Sequence, residues 1–146
     1  MYNFSCHCKQ LTYQYTGKPY CCYACHCTDC QRASGSAFTS NMIVDHADIS
    51  LISGYASEMT YTHNNDQLQV TCCRSCATDL FLFFNSRPAI ATILTGTFIL
   101  QHWFSPVAHI WTDSAVSWLK LDDGLPCFAK QPAWEDLTDL WQSKRN

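Results

Sequence analysis

The sequence is short of charge, of glycine and proline, and of any long apolar run. Charged residues make up 14% of the 146, with five glycines and five prolines, while apolar residues reach 47%. That balance belongs to a globular chain rather than a disordered or linker-like one. No apolar stretch approaches the roughly 20 residues of a membrane-spanning helix, so no membrane partner is expected. Clustered positive charge is also lacking. The nine lysines and arginines (Lys9, Lys18, Arg32, Arg74, Arg87, Lys120, Lys130, Lys144, Arg145) are scattered, and the net charge is −3. A nucleic-acid partner, whose phosphates need a basic face, is therefore not expected. The opening residues Met1 to Cys6 carry neither a positive stretch nor an apolar core of the secretory kind, which leads to the expectation of a cytoplasmic protein.

Cysteine is the residue in excess. The eleven cysteines include three tight clusters: Cys6-His7-Cys8, Cys25-His26-Cys27-Thr28-Asp29-Cys30 and Cys73-Arg74-Ser75-Cys76. An odd total leaves a thiol over in any disulfide scheme, and in a reducing compartment clustered cysteines read as metal ligands. Seven thiolates are more than one ion can use. Four close a tetrahedral zinc site and three leave one position open. A C-x-C or C-x-x-C pair presents both sulfurs from one turn, so Cys6/Cys8 and Cys73/Cys76 combine naturally. Cys25, Cys27 and Cys30 then remain within six residues. Cys22 forms its own C-x-x-C with Cys25 and competes as a ligand, whereas Cys72 lacks the spacing to Cys76 that Cys73 has. Cys21 and Cys127 have no partner at metal spacing and read as small buried apolar residues. His7 and His26 sit between ligating cysteines, point away from them in an extended turn, and read as surface or supporting residues.

The remaining pattern is mainly β. Leu11 to Tyr15 and part of Ala37 to Val44 alternate as half-buried strands do. Asp79 to Phe84 and Ala89 to Thr95 are short apolar runs fit for buried strands. Turn residues separate them at 17–19, 53–54, 63–66, 85–88 and 122–124. Trp134, Leu137, Leu140 and Trp141 recur at helical steps after Pro132, predicting one C-terminal helix near 134–144. Phe38, Phe81, Phe83, Trp103 and Trp111 read as core. A single domain, 1–146, is expected.

Three thiolates and one Zn²⁺ leave a net charge of about −1, which weakens the ion as a source of hydroxide. The zinc-deaminase pattern fails too: Glu58 and Glu135 stand two residues after Ala56 and Ala133, not after His or Cys. A soft, thiolate-rich ion with one vacancy suits a further thiol, whose pKa it lowers.

The stretch Cys25-His26-Cys27-Thr28-Asp29-Cys30-Gln31-Arg32-Ala33-Ser34-Gly35-Ser36-Ala37-Phe38 closely resembles the central motif of the glutathione-dependent formaldehyde-activating (GFA, or centromere protein V/GFA) family. Cys6-x-Cys8 with Leu11-Thr12-Tyr13, and Cys73-x-x-Cys76 before a strand, match that family's other two motifs. Weaker echoes are Gly96-Thr97, Pro106 to Ile110 and Leu125 to Phe128, so the resemblance covers about 3–128 and leaves 129–146 as an extension.

The resemblance implies a Mss4-like fold of packed antiparallel sheets with two zinc ions. Cys6, Cys8, Cys73 and Cys76 would hold the structural ion, and Cys25, Cys27 and Cys30 the catalytic one. The implied activity is that of a carbon–sulfur lyase resembling S-(hydroxymethyl)glutathione synthase, with glutathione as co-substrate and small-molecule thiol and aldehyde as partners. Arg32, Ser34, Gly35 and His109 are candidate thiol or substrate contacts. Lys9 and Ala77 stand where the family usually has glycine, Gln31 replaces a basic residue, and Gly96-Thr97-Phe98-Ile99 lacks the family's acid. These departures leave open a same-fold enzyme for a different thiol or aldehyde. A non-catalytic zinc module that binds a protein is the third reading.

Overall fold

The computed structural model describes residues 1–63, 65–99 and 103–145. In chain order the elements are β1 (Tyr2–Ser5), β2 (Thr12–Tyr15), β3 (Cys21–Cys25), α1 (Thr28–Ser34), β4 (Thr39–Asp45), β5 (Ile49–Ser53), β6 (Ala56–His63), β7 (Asp66–Cys73), β8 (Asp79–Phe84), β9 (Ile90–Leu94), β10 (His109–Ile110) and α2 (Trp134–Arg145). The protein is thus mainly β with a C-terminal helix, as the residue pattern predicts, and with a second helix, α1, that the pattern does not announce. No helix among the described residues is long and apolar enough to cross a membrane.

The chain divides into two compact units. The first comprises Met1–Pro19 and Ile43–Trp103. Here β1 and β2 form an antiparallel hairpin, Phe4 opposite Tyr13, and β5 adds to β2. A second set runs β9-β8-β7-β6, antiparallel from neighbour to neighbour. Leu11, just before β2, and Tyr15, which ends it, are fully buried. Phe4, Tyr13, Phe81 and Phe98 make an aromatic cluster, with Tyr13 set edge-on to Phe81 at 5.2 Å between centroids. Such offset and edge contacts add to the ~25 cal/mol per Å² of apolar burial.

The second unit comprises Tyr20–Met42 and Phe104–Asn146. Strand β3 lies between β10 and β4, and its pairing with β10 is parallel, Ala24 opposite His109 and Cys25 opposite Ile110. A parallel pair is a departure from the antiparallel packing expected. Helix α2 packs against β3, and its Leu137 and Trp141, four residues apart on one face, are both buried. Its acidic first turn (Glu135, Asp136) and basic last turn (Lys144, Arg145) complement the helix dipole.

Candidate metal centres

The first cysteine group is built from two turns of one design. Cys6 and Cys8 lie in the β1–β2 turn; Cys73 ends β7 and Cys76 lies in the turn to β8. The amides of Cys6 and Cys73 donate to the carbonyls of Leu11 and Thr78, at 3.0 and 2.9 Å. The Lys9 and Ala77 amides close each turn onto Cys6 O and Cys73 O. Both closing residues are left-handed, with φ of 63° and 57°, so the two positions where the family pattern has glycine do require that conformation. Cross-links join the turns: the His7 amide donates to Thr78 Oγ1 and Ser75 Oγ to Gln10 Oε1.

The four sulfurs lie within 4.8 Å of one another. Cys6–Cys8 and Cys8–Cys73 separations are 3.5 and 3.8 Å. A tetrahedral zinc with Zn–S bonds of about 2.3 Å spaces its sulfurs at about 3.8 Å, so this set fits the ion. Amides of Leu11 and Ser75 donate to Cys6 and Cys73 Sγ. The Thr78 hydroxyl pulls Cys76 down to about 5. At Cys8 the Gln10 amide is outweighed by burial and the neighbouring sulfurs, and the thiol is pushed up to about 12.

The second group sits at the junction of β3 and α1. Cys25 ends the strand. Cys27 is extended (φ −66°, ψ 155°) and caps α1, its sulfur accepting the Cys30 amide at 3.3 Å. Gly35 closes the other end in the left-handed region, its amide donating to Gln31 O at 2.9 Å. The seven-residue helix therefore holds two sulfurs in register with Cys25. The three sulfurs again lie within 4.8 Å of one another, and no fourth His, Cys, Asp or Glu atom joins them among the described residues. Hydrogen bonding with Cys25 and then Cys30 pulls Cys27 down to about 2, while the same pairing pushes Cys25 up. A cation bound there would replace the protons that these thiols otherwise share.

Around this group the 109–114 segment forms a wall. The His26 amide donates to Ile110 O at 3.0 Å. The His26 carbonyl accepts Gln31 Nε2 at 2.8 Å and Ser114 Oγ at 3.1 Å, and Gln31 Nε2 also reaches Ser114 O at 2.8 Å. His26 itself is fully buried against Phe38, its ring 2.8 Å from His109 Nδ1, and burial followed by His109 holds it below the usual histidine range. His109 Nε2 lies 2.9 Å from Asp123 Oδ2.

The other candidate contacts fall differently. Arg32 is largely exposed and 3.9 Å from Asp29. Ser34 Oγ donates to Cys30 O inside the helix, and Gly35 serves as its cap. His109, buried, contacts His26 and Asp123. Cys21 is buried as expected, whereas Cys127, expected to be buried, is exposed, its thiol facing Leu125 O. Cys22 and Cys72 are buried and join neither group. Gln31, Ser114 and Asp123 were not legible as members of this site. Gln31 reads in sequence only as a lost charge, and Asp123 only as part of a turn.

The family model described as glutathione-dependent formaldehyde-activating enzyme matches residues 1–114. A crystal structure of a Rhodobacter sphaeroides protein, 12% identical, aligns over 86% of this chain and 98% of its own with a TM-score of 0.52. That likeness is one of fold. No curated protein matches the chain.

Proposed function

The chain belongs to the glutathione-dependent formaldehyde-activating enzyme family, and we propose that it joins a small thiol to formaldehyde or a related aldehyde at Cys25, Cys27 and Cys30. The carrying observation is three convergent sulfurs with no fourth protein donor among the described residues. A zinc ion held there supplies a soft Lewis-acidic position that lowers the pKa of a substrate thiol. In the reaction the thiol sulfur attacks the carbonyl carbon. The C–S bond forms, the C=O π pair moves to oxygen, and the thiol proton ends on that oxygen; the lyase direction is the reverse.

The chain's own part is orientation. Cys27 is fixed by the helix amide it caps, and Cys25 by its strand. Gln31 and Ser114 grip the carbonyl between them. Cys6, Cys8, Cys73 and Cys76 complete a closed set whose use is structural.

A different thiol from glutathione is supported by one feature. Gln31 spends both amide hydrogens on backbone carbonyls, and Arg32 lies beside Asp29, so neither stands ready for glutathione's two carboxylates. The test follows adduct formation from formaldehyde by NMR exchange, with glutathione, cysteine and cysteamine in parallel. Acceleration that Cys25→Ser and Cys27→Ser abolish is expected, by at least ~100-fold if the thiolate is lost. No acceleration over the spontaneous reaction with any thiol overturns the reading.

A further inference from the structure

The buried chain of rings behind the three-cysteine group has a direction. Asp123 is locked at both oxygens: Oδ1 accepts the Leu125 amide at 3.1 Å across the turn that Gly124 makes, and Oδ2 takes His109 Nε2. The His109 backbone is fixed as well, its amide donating to Pro126 O and its carbonyl accepting from Phe128. An ionised carboxylate can only accept, so the proton of the 2.9 Å contact sits on His109 Nε2, and this hydrogen bond in turn holds the Asp123 carboxyl below its ordinary range.

The next link follows from burial. His26 Nδ1 has no partner among the described residues and is shielded from solvent. Were His109 to carry a proton on Nδ1 too, His26 would have to accept at Nε2. Its own Nδ1 would then be a buried N–H with no acceptor, which is rare in folded proteins. The reverse order leaves only a bare ring nitrogen. His109 Nδ1 therefore accepts, and His26 Nε2–H donates across the 2.8 Å contact.

We propose that Asp123 and His109 are positioning residues for the three-cysteine centre: the carboxylate sets the tautomer of His109, His109 sets that of His26, and the ring between Cys25 and Cys27 is thereby held in one orientation. Partners bonded directly to a metal ligand change affinity by about 10–100-fold when removed; Asp123 acts one step further out, through the residue between two cysteines, so its removal should cost less than that. The backbone of His26 is gripped by the same 109–114 wall through Ile110 and Ser114. Ring and backbone are thus anchored to one segment, and a turn in His26 would move the peptide planes that aim both flanking sulfurs.

The test has two arms. The first uses the zinc-loaded full chain labelled with ¹⁵N, in which long-range proton–nitrogen correlations report which ring nitrogen carries hydrogen. Both His26 and His109 are expected to be protonated on Nε2 alone. A proton on Nδ1 of either ring overturns the proposal, whether or not the protein is an enzyme. The second arm, which rests on the metal assignment above, measures zinc affinity of each cysteine group against a chromogenic chelator. Asp123→Ala should weaken the three-cysteine group several-fold, less than the loss of a direct ligand partner, and leave the four-cysteine group unchanged. Asp123→Asn, whose amide oxygen still accepts from Nε2–H, should restore most of the loss. Unchanged affinity in Asp123→Ala, equal loss in the two variants, or parallel loss at both groups overturns it. Should the wild type bind no zinc at Cys25, Cys27 and Cys30, the proposed function fails, while the nitrogen spectra still decide the direction of the chain.

Discussion

Lys9 and Ala77 carry the clearest residue-scale tension in the molecule. Each closes a cysteine turn with positive φ, a conformation that costs an L-residue about 1–2 kcal/mol relative to its right-handed alternative. Glycine removes that cost but adds about 0.5–1 kcal/mol of unfolded-chain entropy. Ala77→Gly should therefore stabilise the zinc-loaded protein by roughly 0.5–1 kcal/mol, raising the melting temperature by about 2–3 °C. A lower melting temperature in the variant would show that the turn does not strain its alanine. At this same scale, spacing identified the seven cysteines that the fold gathers into two groups, because C-x-C and C-x-x-C geometry is local. It did not reveal why His26 is buried. That depends on His109 and Asp123, which lie 83 and 97 residues further on and arrive only when β10 pairs with β3.

Among the elements, Gly54 links β5 and β6 with a φ of 95°. A Cβ there would lie 2.0 Å from Gln10 O, the residue beside the first cysteine turn. Backbone strain and collision act together, so Gly54→Ala should cost about 2 kcal/mol or more and weaken zinc retention by Cys6 and Cys8. Denaturant unfolding with zinc release monitored by dye checks both; unchanged values would mean the turn moves freely. Legibility at this scale followed burial. β2 and β8 have apolar alternation or runs that face a core, and the terminal helix has its Leu137 and Trp141 stripe. Helix α1 has no buried residue at all, so no apolar period announces it, although it and its N-cap carry two of the three convergent sulfurs. β6 escaped for the same reason, being mostly exposed, and β10 is only two residues long.

For the whole molecule, each cysteine group belongs to one compact unit: Cys6, Cys8, Cys73 and Cys76 to the first, Cys25, Cys27 and Cys30 to the second. The closed group ties β1–β2 to β7–β8 and should contribute to folding directly. The open group ties only a strand end to a short helix. Cys73→Ser is accordingly expected to lower the unfolding midpoint markedly, and Cys25→Ser to leave it nearly unchanged while abolishing the thiol–aldehyde reaction. The division into four sulfurs and three is tested most directly by zinc content, measured by elemental analysis of the purified full chain and of Cys25→Ser. Two zinc ions per wild-type chain and one in Cys25→Ser, with the remaining ion still resistant to chelation, is the predicted result. One zinc in the wild type, or loss of both in the variant, would contradict it.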